Sequence, residues 1–221
     1  AEALGSRLVR LGREFDYADE HSQWRYRGPG GDRYGLPMPS LRGSFQLANA
    51  ATALAVVDVL RDRLPVSAGA VRDGLVRVEW PARFQVLPGR PTIVLDVAHN
   101  PQAAQALAAT LGEMGFHPRT LAVFAAFRDK DVEGVVRAMA ARVDRWFVAG
   151  SPGARGIASD ALRERMQRGG VAPGSIDESA DVAMAFAKAR DAATEADRIV
   201  VFGSFVTVAA VIAALADSRS R

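Results

Sequence analysis

From position 92 onward, apolar residues occur in short, nearly continuous runs, each followed by a turn and an alanine-rich stretch with helical spacing. Four of these runs predict buried parallel strands, because a strand covered on both faces is apolar throughout; they are TIVLDVA, TLAVFAAF, RWFVAG and RIVVFGSF. A weaker strand is predicted at residues 175–177, and helices are predicted over residues 101–114, 132–143, 159–167, 180–193 and 206–216. This alternation indicates an α/β fold with an open, doubly wound, mostly parallel sheet of the Rossmann-like kind.

The first 80 residues follow a different pattern. They begin with an irregular, β-rich stretch containing a GPGGD turn at residues 28–32. A helix is then predicted over residues 45–64, where apolar residues share one stripe, and a second over residues 66–76 with Ser67 as its N-cap. The segment EWPAR at residues 79–83 predicts a domain boundary. We therefore expect residues 1–80 to be the end of an incomplete α/β domain and residues 81–221 to form a second domain.

Composition narrows the class of protein. The chain has 221 residues, 49% of them hydrophobic, so it can bury a globular core. It has no cysteine, which excludes disulfides, thiolate nucleophiles and cysteine-bound metals. The 28 basic residues are interleaved with 25 acidic ones, so the high isoelectric point does not favour a nucleic-acid partner.

No leader peptide or membrane-length apolar stretch is evident, and we expect a soluble, cytoplasmic protein without a membrane partner. The first residue is Ala and not Met, which suits an internal fragment, although tag removal or methionine processing gives the same start.

The segment IVLDVAHNP places Asp96 and His99 at the carboxyl end of a predicted strand. Asn100 can cap the following helix, and Pro101 fits its first turn. Ligands bind at this edge of open α/β sheets. Polar residues at such turns also serve purely structural roles, and the sequence leaves both readings open.

Two other turns carry candidate residues of the same kind. In VFGSF, Gly203 permits close backbone approach, and Ser204 either binds a carboxylate beside the free N–H groups of the next helix or simply caps that helix. In the DKD segment at residues 129–131, Lys130 either presents its ammonium to an anionic substrate or belongs to a solvated charge cluster. Only Lys130 and Lys188 are lysines, so the choice of lysine here is informative.

Two further residues stand out by their position. Asn49 lies within an alanine-rich helix, where propensity does not favour asparagine. Arg83 lies just after the predicted boundary and either reaches a phosphate or pairs with an acid. The chain contains neither a GxxxxGK[ST] phosphate loop nor a GxGxxG dinucleotide fingerprint, and the missing fingerprint counts against a dehydrogenase.

In this order and spacing the segments resemble the folate-glutamate ligases, the dihydrofolate synthase/folylpolyglutamate synthase family, and more distantly the Mur ligases of cell-wall synthesis. The family's GxxQxxNAAxA element corresponds to residues 43–53, its WPGRF to residues 80–84, its DVAHNPxA to residues 96–103, its DKD to residues 129–131 and its GSF to residues 203–205. Phe45 stands where the family often has His, and Ala82 replaces the usual Gly.

This resemblance implies an ATP- and Mg²⁺-dependent enzyme. The family converts a pteroate or folate carboxylate into an acyl phosphate, which the amine of L-glutamate attacks. The resemblance implies ATP contacts from Asn49, Arg83 and Asp96. It also implies that the incoming glutamate is surrounded by His99, Lys130 and Ser204. His99 is the candidate catalytic residue, because it could deprotonate the ammonium.

The resemblance also says what this chain lacks. The phosphate loop, the metal ligands and most of the pterin site, for dihydropteroate or folate, are expected upstream of it. By analogy with the family we expect a monomer. If the first parallel strand lies in the middle of the sheet, as is common, the three glutamate residues can line one crevice. Two alternatives stay open: a Mur-type ligase that adds an amino acid to a cell-wall precursor, and a non-catalytic module that binds nucleotide or glutamate.

Overall fold

A computed structural model describes residues 5–43 and 45–219 of the chain. The chain forms two compact units, the first ending at Trp80 and the second beginning at Pro81. Each unit has its own hydrophobic core, and each is described separately below.

The first unit contains a three-stranded antiparallel sheet followed by two helices. The strands are β1 (Asp16–Asp19), β2 (Gln23–Arg27) and β3 (Arg33–Pro37), in the order β1-β2-β3, and the helices are α1 (Gln46–Val59) and α2 (Ala68–Arg77). Helix α1 is shorter than predicted: it ends at Val59, and the following residues form turns before Pro65, whose ring disfavours helical backbone at the preceding residue. Helix α2 begins at Ala68, two residues later than predicted, and Ser67 is its N-cap as predicted, with its hydroxyl accepting the Ala70 amide at 3.1 Å.

A buried carboxylate joins the sheet of the first unit to helix α1. Asp58 accepts hydrogen bonds from the Tyr26 hydroxyl at 2.9 Å, the Gly30 amide at 3.1 Å and the Arg33 guanidinium at 2.6 Å. Burial, and then the hydrogen bond to Asp58, raise the pKa of Tyr26 above its ordinary value. This network fixes the glycine-rich turn between β2 and β3 against the helix.

The second unit is a six-stranded sheet flanked by five helices. Its strands are β4 (Gln85–Leu87), β5 (Thr92–Leu95), β6 (Thr120–Phe124), β7 (Arg145–Ala149), β8 (Ile176–Ser179) and β9 (Arg198–Phe202). Its helices are α3 (Pro101–Glu113), α4 (Val132–Met139), α5 (Ser159–Arg168), α6 (Val182–Ala192) and α7 (Phe205–Arg219). Strand β4 is antiparallel to β5, and the other neighbours are parallel. The predicted α/β fold with a mostly parallel sheet is confirmed; the antiparallel edge strand β4 was not predicted.

Helices cover both faces of this sheet. On one face, α3, α4 and α5 pack through residues such as Leu107, Val135 and Met166. On the other face, α6 and α7 pack through Phe186 and Val211. The strands between them are therefore buried on both sides, which explains their continuous apolar runs.

The strand order is β4-β5-β9-β6-β7-β8. The expectation that the first parallel strand lies in the middle of the sheet is wrong, because β5 is second from the edge. Strand β9, the last in the chain, pairs with β5 through Val94 and Val200 and with β6 through Ala122 and Val200. The carboxyl ends of β5, β9 and β6 are consequently neighbours.

At the amino ends of the parallel strands, a buried carboxylate, that of Asp197, directly precedes β9. Asp197 accepts hydrogen bonds from the Arg119 guanidinium at 2.6 Å and from the Thr194 amide at 2.7 Å. Burial alone would raise the pKa of Asp197, but the Arg119 and Thr194 hydrogen bonds outweigh burial and lower it to about 2. No helix within residues 5–43 and 45–219 combines the length and the apolar character needed to cross a membrane.

Candidate active site

Three polar turns follow the three neighbouring strands β5, β9 and β6. Asp96 and His99 follow β5, Ser204 follows β9, and Lys130 follows the extended segment after β6. Parallel strands present their carboxyl ends at one edge of a sheet, so these turns lie side by side. The structure therefore brings together four of the residues singled out in the sequence.

Asp96 joins the start of the second unit to the end of β5. Its carboxylate accepts the Phe84 amide at 2.8 Å and the Ala98 amide at 2.7 Å, and the Val97 amide donates to the Ala82 carbonyl at 3.0 Å. Burial raises the pKa of Asp96 above its ordinary value of 3.8, outweighing the opposite effect of the two amides and of Arg83. Both carboxylate oxygens therefore have structural partners, and a ribose hydroxyl would use their remaining lone pairs.

Within the described residues, one ring nitrogen of His99 makes a hydrogen bond and the other has no protein partner. Its Nδ1 lies 2.9 Å from the Val97 carbonyl oxygen. Because a carbonyl only accepts, Nδ1 carries the proton in the neutral ring, and Nε2 then has a lone pair free to accept one. The ring is half-buried. As predicted, Asn100 caps α3 by accepting the Ala103 amide at 2.8 Å, with Pro101 in the first turn.

Ser204 caps helix α7 and also contacts a buried threonine. Its Oγ accepts the Thr207 amide at 3.0 Å and lies 2.8 Å from Thr207 Oγ1. The preceding Gly203 has a φ of 118°, and a Cβ there would collide with the Ala125 carbonyl oxygen. The close approach that Gly203 permits is therefore to the end of the neighbouring strand segment. The capping role of Ser204 is present, and the residue is half-buried at the edge where ligands bind in such sheets.

Lys130 lies in a turn that caps helix α4. Its ammonium is 3.3 Å from the Asp129 carboxylate, and its side chain is 28% exposed. Asp131 accepts the Gly134 amide at 2.8 Å and so caps α4. An ammonium has three donors, so those not directed at Asp129 can bind a second carboxylate.

Arg165 of helix α5 holds the same turn from behind. Its guanidinium donates to the Arg128 carbonyl at 2.9 Å, to the Lys130 carbonyl at 2.7 Å and to the Glu133 carboxylate at 2.9 Å. The hydrogen bond from Arg165 lowers the pKa of Glu133 to about 2 despite partial burial. Among the described residues, Arg168 bonds to Glu133 alone, at 3.3 Å. The backbone position of Lys130 therefore depends on Arg165.

Two of the helices at this edge favour anions. Helices α3 and α7 have no acidic residue in their first turns, and neutral side chains, Asn100 and Ser204, cap them. Helix α4 differs, since Asp131 and Glu133 lie at its start. The partial positive charge at the amino ends of α3 and α7 is therefore not neutralised locally, which stabilises a carboxylate or phosphate beside them.

Arg83 is exposed, and its guanidinium carbon lies 5.8 Å from the centre of the Phe205 ring. Within the described residues it forms no ion pair with a carboxylate, so its donors are available to a phosphate. Asn49 lies in the other unit, on the exposed side of α1, and its amide donates to Gln46 at 3.1 Å. The three residues implied as ATP contacts are thus divided between the two units.

Two features of this edge were not found from the sequence. Thr207, 2% exposed, is one; a threonine in the first turn of an apolar helix is a weak signal. The other is a cleft of about 700 Å³ further along the edge, lined by residues after β7 and β8 and by Val206 of α7. No group of three or more His, Cys, Asp or Glu side chains suited to a metal ion occurs in the described part of the chain.

Comparison with known proteins identifies the family of this chain. Residues 82–205 match the family described as Mur ligase, glutamate ligase domain. The dihydrofolate synthase/folylpolyglutamate synthase of Escherichia coli is 35% identical over 220 residues, covering 100% of this chain and 49% of that protein.

Two solved structures give the same picture. E. coli FolC in complex with ADP superposes with a TM-score of 0.84 at 34% identity, covering 98% of this chain and 50% of that chain. A bifunctional folylpolyglutamate synthase/dihydrofolate synthase with Mn, AMPPNP and L-glutamate bound gives a TM-score of 0.83 at 36% identity, covering 97% and 49%. The chain spans about half the length of these relatives. This chain therefore belongs to the Mur ligase family, carries its glutamate ligase domain, and corresponds to the C-terminal half of dihydrofolate synthase/folylpolyglutamate synthases.

Proposed function

We propose that the protein containing this chain ligates L-glutamate to dihydropteroate, to folate or to both, with ATP as the energy source and Mg²⁺ as the metal. The chain supplies the glutamate side of the site and part of the ATP contacts. A protein of this kind works in the cytoplasm, where its substrates and ATP are found, and is expected to be a monomer.

One observation carries this proposal. The turns holding His99, Ser204 and Lys130 follow three adjacent strands, at an edge where two helices begin without a neutralising acid. A glutamate brings two carboxylates and an amine. Lys130 and the amino end of α7 beside Ser204 suit the carboxylates, and the free Nε2 of His99 suits the amine.

The chemistry assigned to the chain's own residues follows from that placement. ATP supplies the phosphoryl group that converts the pterin substrate's carboxylate into an acyl phosphate. The glutamate nitrogen then attacks the acyl carbon, the carbon–oxygen bond to phosphate breaks, and inorganic phosphate leaves. Before attack the ammonium must lose a proton, and His99 Nε2 is the acceptor that the geometry offers. Arg83, which forms no ion pair with a carboxylate of the described residues, is suited to bind phosphate oxygens.

Glutamate-dependent ADP release by the full-length native protein tests the proposal, with dihydropteroate or folate as the second substrate. Lys130→Ala and Ser204→Ala should each raise the glutamate KM by about tenfold or more while changing the ATP KM little, since a hydrogen bond to a charged group is lost. Lys188→Ala and Ser218→Ala are matched controls, because both residues are exposed and bond only to backbone carbonyls. A normal glutamate KM in both test variants would return Lys130 and Ser204 to purely structural roles.

Two further measurements test the expected division of labour and the substrate class. The 221-residue chain alone should show no ligase turnover, because phosphoryl transfer of this kind needs a phosphate loop, and the sequence contains no GxxxxGK[ST] motif. A panel of dihydropteroate, folates and UDP-muramyl compounds distinguishes a folate ligase from a cell-wall ligase. Turnover with only the muramyl compounds would contradict the proposed substrate class.

A further inference from the structure

Thr207 is a buried polar residue in the first turn of α7, directly behind Ser204. Its side chain is 2% exposed, and its Oγ1 lies 2.8 Å from Ser204 Oγ and 3.2 Å from the Ala125 carbonyl oxygen. Its amide also donates to Ser204 Oγ at 3.0 Å. Both hydrogen-bond donors of Thr207, its amide and its hydroxyl, are therefore within hydrogen-bond distance of the hydroxyl that we assign to substrate binding.

The number of protons in this cluster limits what Ser204 can do. A hydroxyl has one proton and two lone pairs, and the Thr207 amide already occupies one lone pair of Ser204. Without a ligand, the Ser204 hydroxyl can donate to Thr207 Oγ1, and the Thr207 hydroxyl can donate to the Ala125 carbonyl. Each hydroxyl proton then has an acceptor, but Ser204 has no proton left to donate to an anion.

A carboxylate at this edge favours the other arrangement. Ser204 then donates its proton to the carboxylate, a charge-assisted bond that is stronger than a neutral one. Thr207 turns its proton from Ala125, the longer of its two contacts at 3.2 Å, to Ser204 Oγ, the shorter at 2.8 Å. Both lone pairs of Ser204 are now filled by Thr207, so the Ser204 proton is directed only at the ligand.

We propose that Thr207 is a positioning residue of the glutamate site, whose hydroxyl reorients on binding so that Ser204 donates to a substrate carboxylate. The inference rests on the proposed function. It assigns Thr207 no contact with substrate, since the side chain is buried. Chains of hydroxyl groups polarise one another, so losing the second hydroxyl weakens the bond made by the first.

Thr207→Val, which removes the hydroxyl and keeps the shape, tests this in the full-length protein. We expect the glutamate KM to rise about threefold with kcat and the ATP KM little changed, because polarisation changes the strength of a charge-assisted hydrogen bond by about 10–30%, and we expect Thr207→Ser to keep the native KM. Thr110→Val is the matched control, because Thr110 is also buried in a helix and bonds to a carbonyl, that of Ala106, in α3. If Thr207→Val does not fold, Thr207→Ala removes the same hydroxyl with less bulk.

A double-mutant cycle distinguishes positioning from simple stabilisation. If Thr207 acts through Ser204, Thr207→Val should not raise the glutamate KM further in a Ser204→Ala background. An equal increase in both backgrounds, or a loss of thermal stability with an unchanged KM, would overturn the inference and leave the proposed function intact. If the native protein shows no glutamate-dependent ATP turnover at all, both proposals fail.

Discussion

Replacing Asp96 with asparagine puts an amide nitrogen at a position where both oxygens accept backbone N–H groups. In Asp96→Asn, either the Phe84 or the Ala98 amide faces an NH₂ group and loses its acceptor; in Asp96→Ala both do. A lost charge-assisted hydrogen bond costs up to about 3 kcal/mol. The net effect is smaller, because burial disfavours the ionised carboxylate here. We expect the free energy of unfolding to fall by about 1–2 kcal/mol for Asp96→Asn and about 3 kcal/mol for Asp96→Ala.

The assay should report on this position as well as on the whole chain. The chain has two compact units, so a single thermal transition need not describe it. Amide hydrogen exchange reports on single positions, and the Phe84 and Ala98 amides should exchange faster in both variants than in the native chain. Asp160→Asn is a control, since Asp160 is exposed and bonds only to its neighbour's amide. Unchanged exchange at Phe84 and Ala98 would refute the claim that Asp96 holds the two segments together.

The pH dependence gives this prediction a sign. The pKa of Asp96 is raised above its ordinary value of 3.8 in the folded chain. Its titration therefore contributes stability that is fully present below the unfolded pKa and is lost as pH rises through the folded pKa. Asparagine does not titrate, so the stability difference between the native chain and Asp96→Asn should grow as the pH is lowered from 7 towards 4. A difference that shrinks on acidification would contradict this reasoning.

Three other predictions follow from contacts described above. Asp197→Asn should lower the free energy of unfolding at pH 7, because the ion pair with Arg119 is lost. The loss should be only about 1–2 kcal/mol, since Arg119 is half-exposed and solvent screens its charge. That cost should disappear as the pH falls from 3.8 to about 2, because the folded pKa of Asp197 is lowered, and a denaturation series across this range checks it. Arg165→Met should lower the unfolding free energy by about 2 kcal/mol and raise the glutamate KM, whereas Arg168→Met, which removes one long contact, should do neither. Arg83→Ala should raise the ATP KM more than it weakens folate binding, and equal losses would make Arg83 structural.

The strands were predictable in the places where burial on both faces dictates composition. The carboxyl ends of the strands were not predictable. Ala125 and Ala126 are as apolar as the strand before them, yet their backbone carbonyls do not take part in strand pairing. The Ala125 carbonyl accepts the Thr207 hydroxyl, and the Ala126 carbonyl accepts the Ser151 hydroxyl. Strand β4 has only 3 residues, all half-buried, and carries no continuous apolar signal. Local composition does not distinguish a strand residue from an apolar residue whose carbonyl bonds to a loop.

The order of the strands in the sheet could not be predicted from the local sequence pattern. Placing β9 between β5 and β6 depends on pairing residues about a hundred positions apart, such as Val94 with Val200. The rule that parallel strands end together was sufficient to predict that polar turns share an edge. It was not sufficient to predict which turns are neighbours.

The sequence departs from the family's pattern at two positions, and the structure gives a physical reason for the usual residue at one of them. Ala82, where the family usually has glycine, has a φ of 62°, a left-handed conformation that glycine adopts without cost. Its carbonyl accepts the Val97 amide at 3.0 Å, so the surrounding hydrogen bonds hold alanine in this conformation. Phe45, where His is common, precedes α1 with no side-chain cap, and its ring is 36% exposed. The structure explains the usual glycine; it gives no reason for the histidine.

The sequence posed capping and ligand binding as alternatives at Asp96 and Ser204, but the hydrogen-bond valences make them compatible. Asp96 has about four lone-pair positions, and two backbone amides use two of them. Ser204 Oγ accepts one amide and keeps a proton and a lone pair, whose use depends on Thr207. The structural bonds hold each side chain in one orientation and leave part of its hydrogen-bonding capacity unused. A substitution at either residue should therefore lower both stability and affinity, and only a variant that keeps the structural bond can separate the two effects.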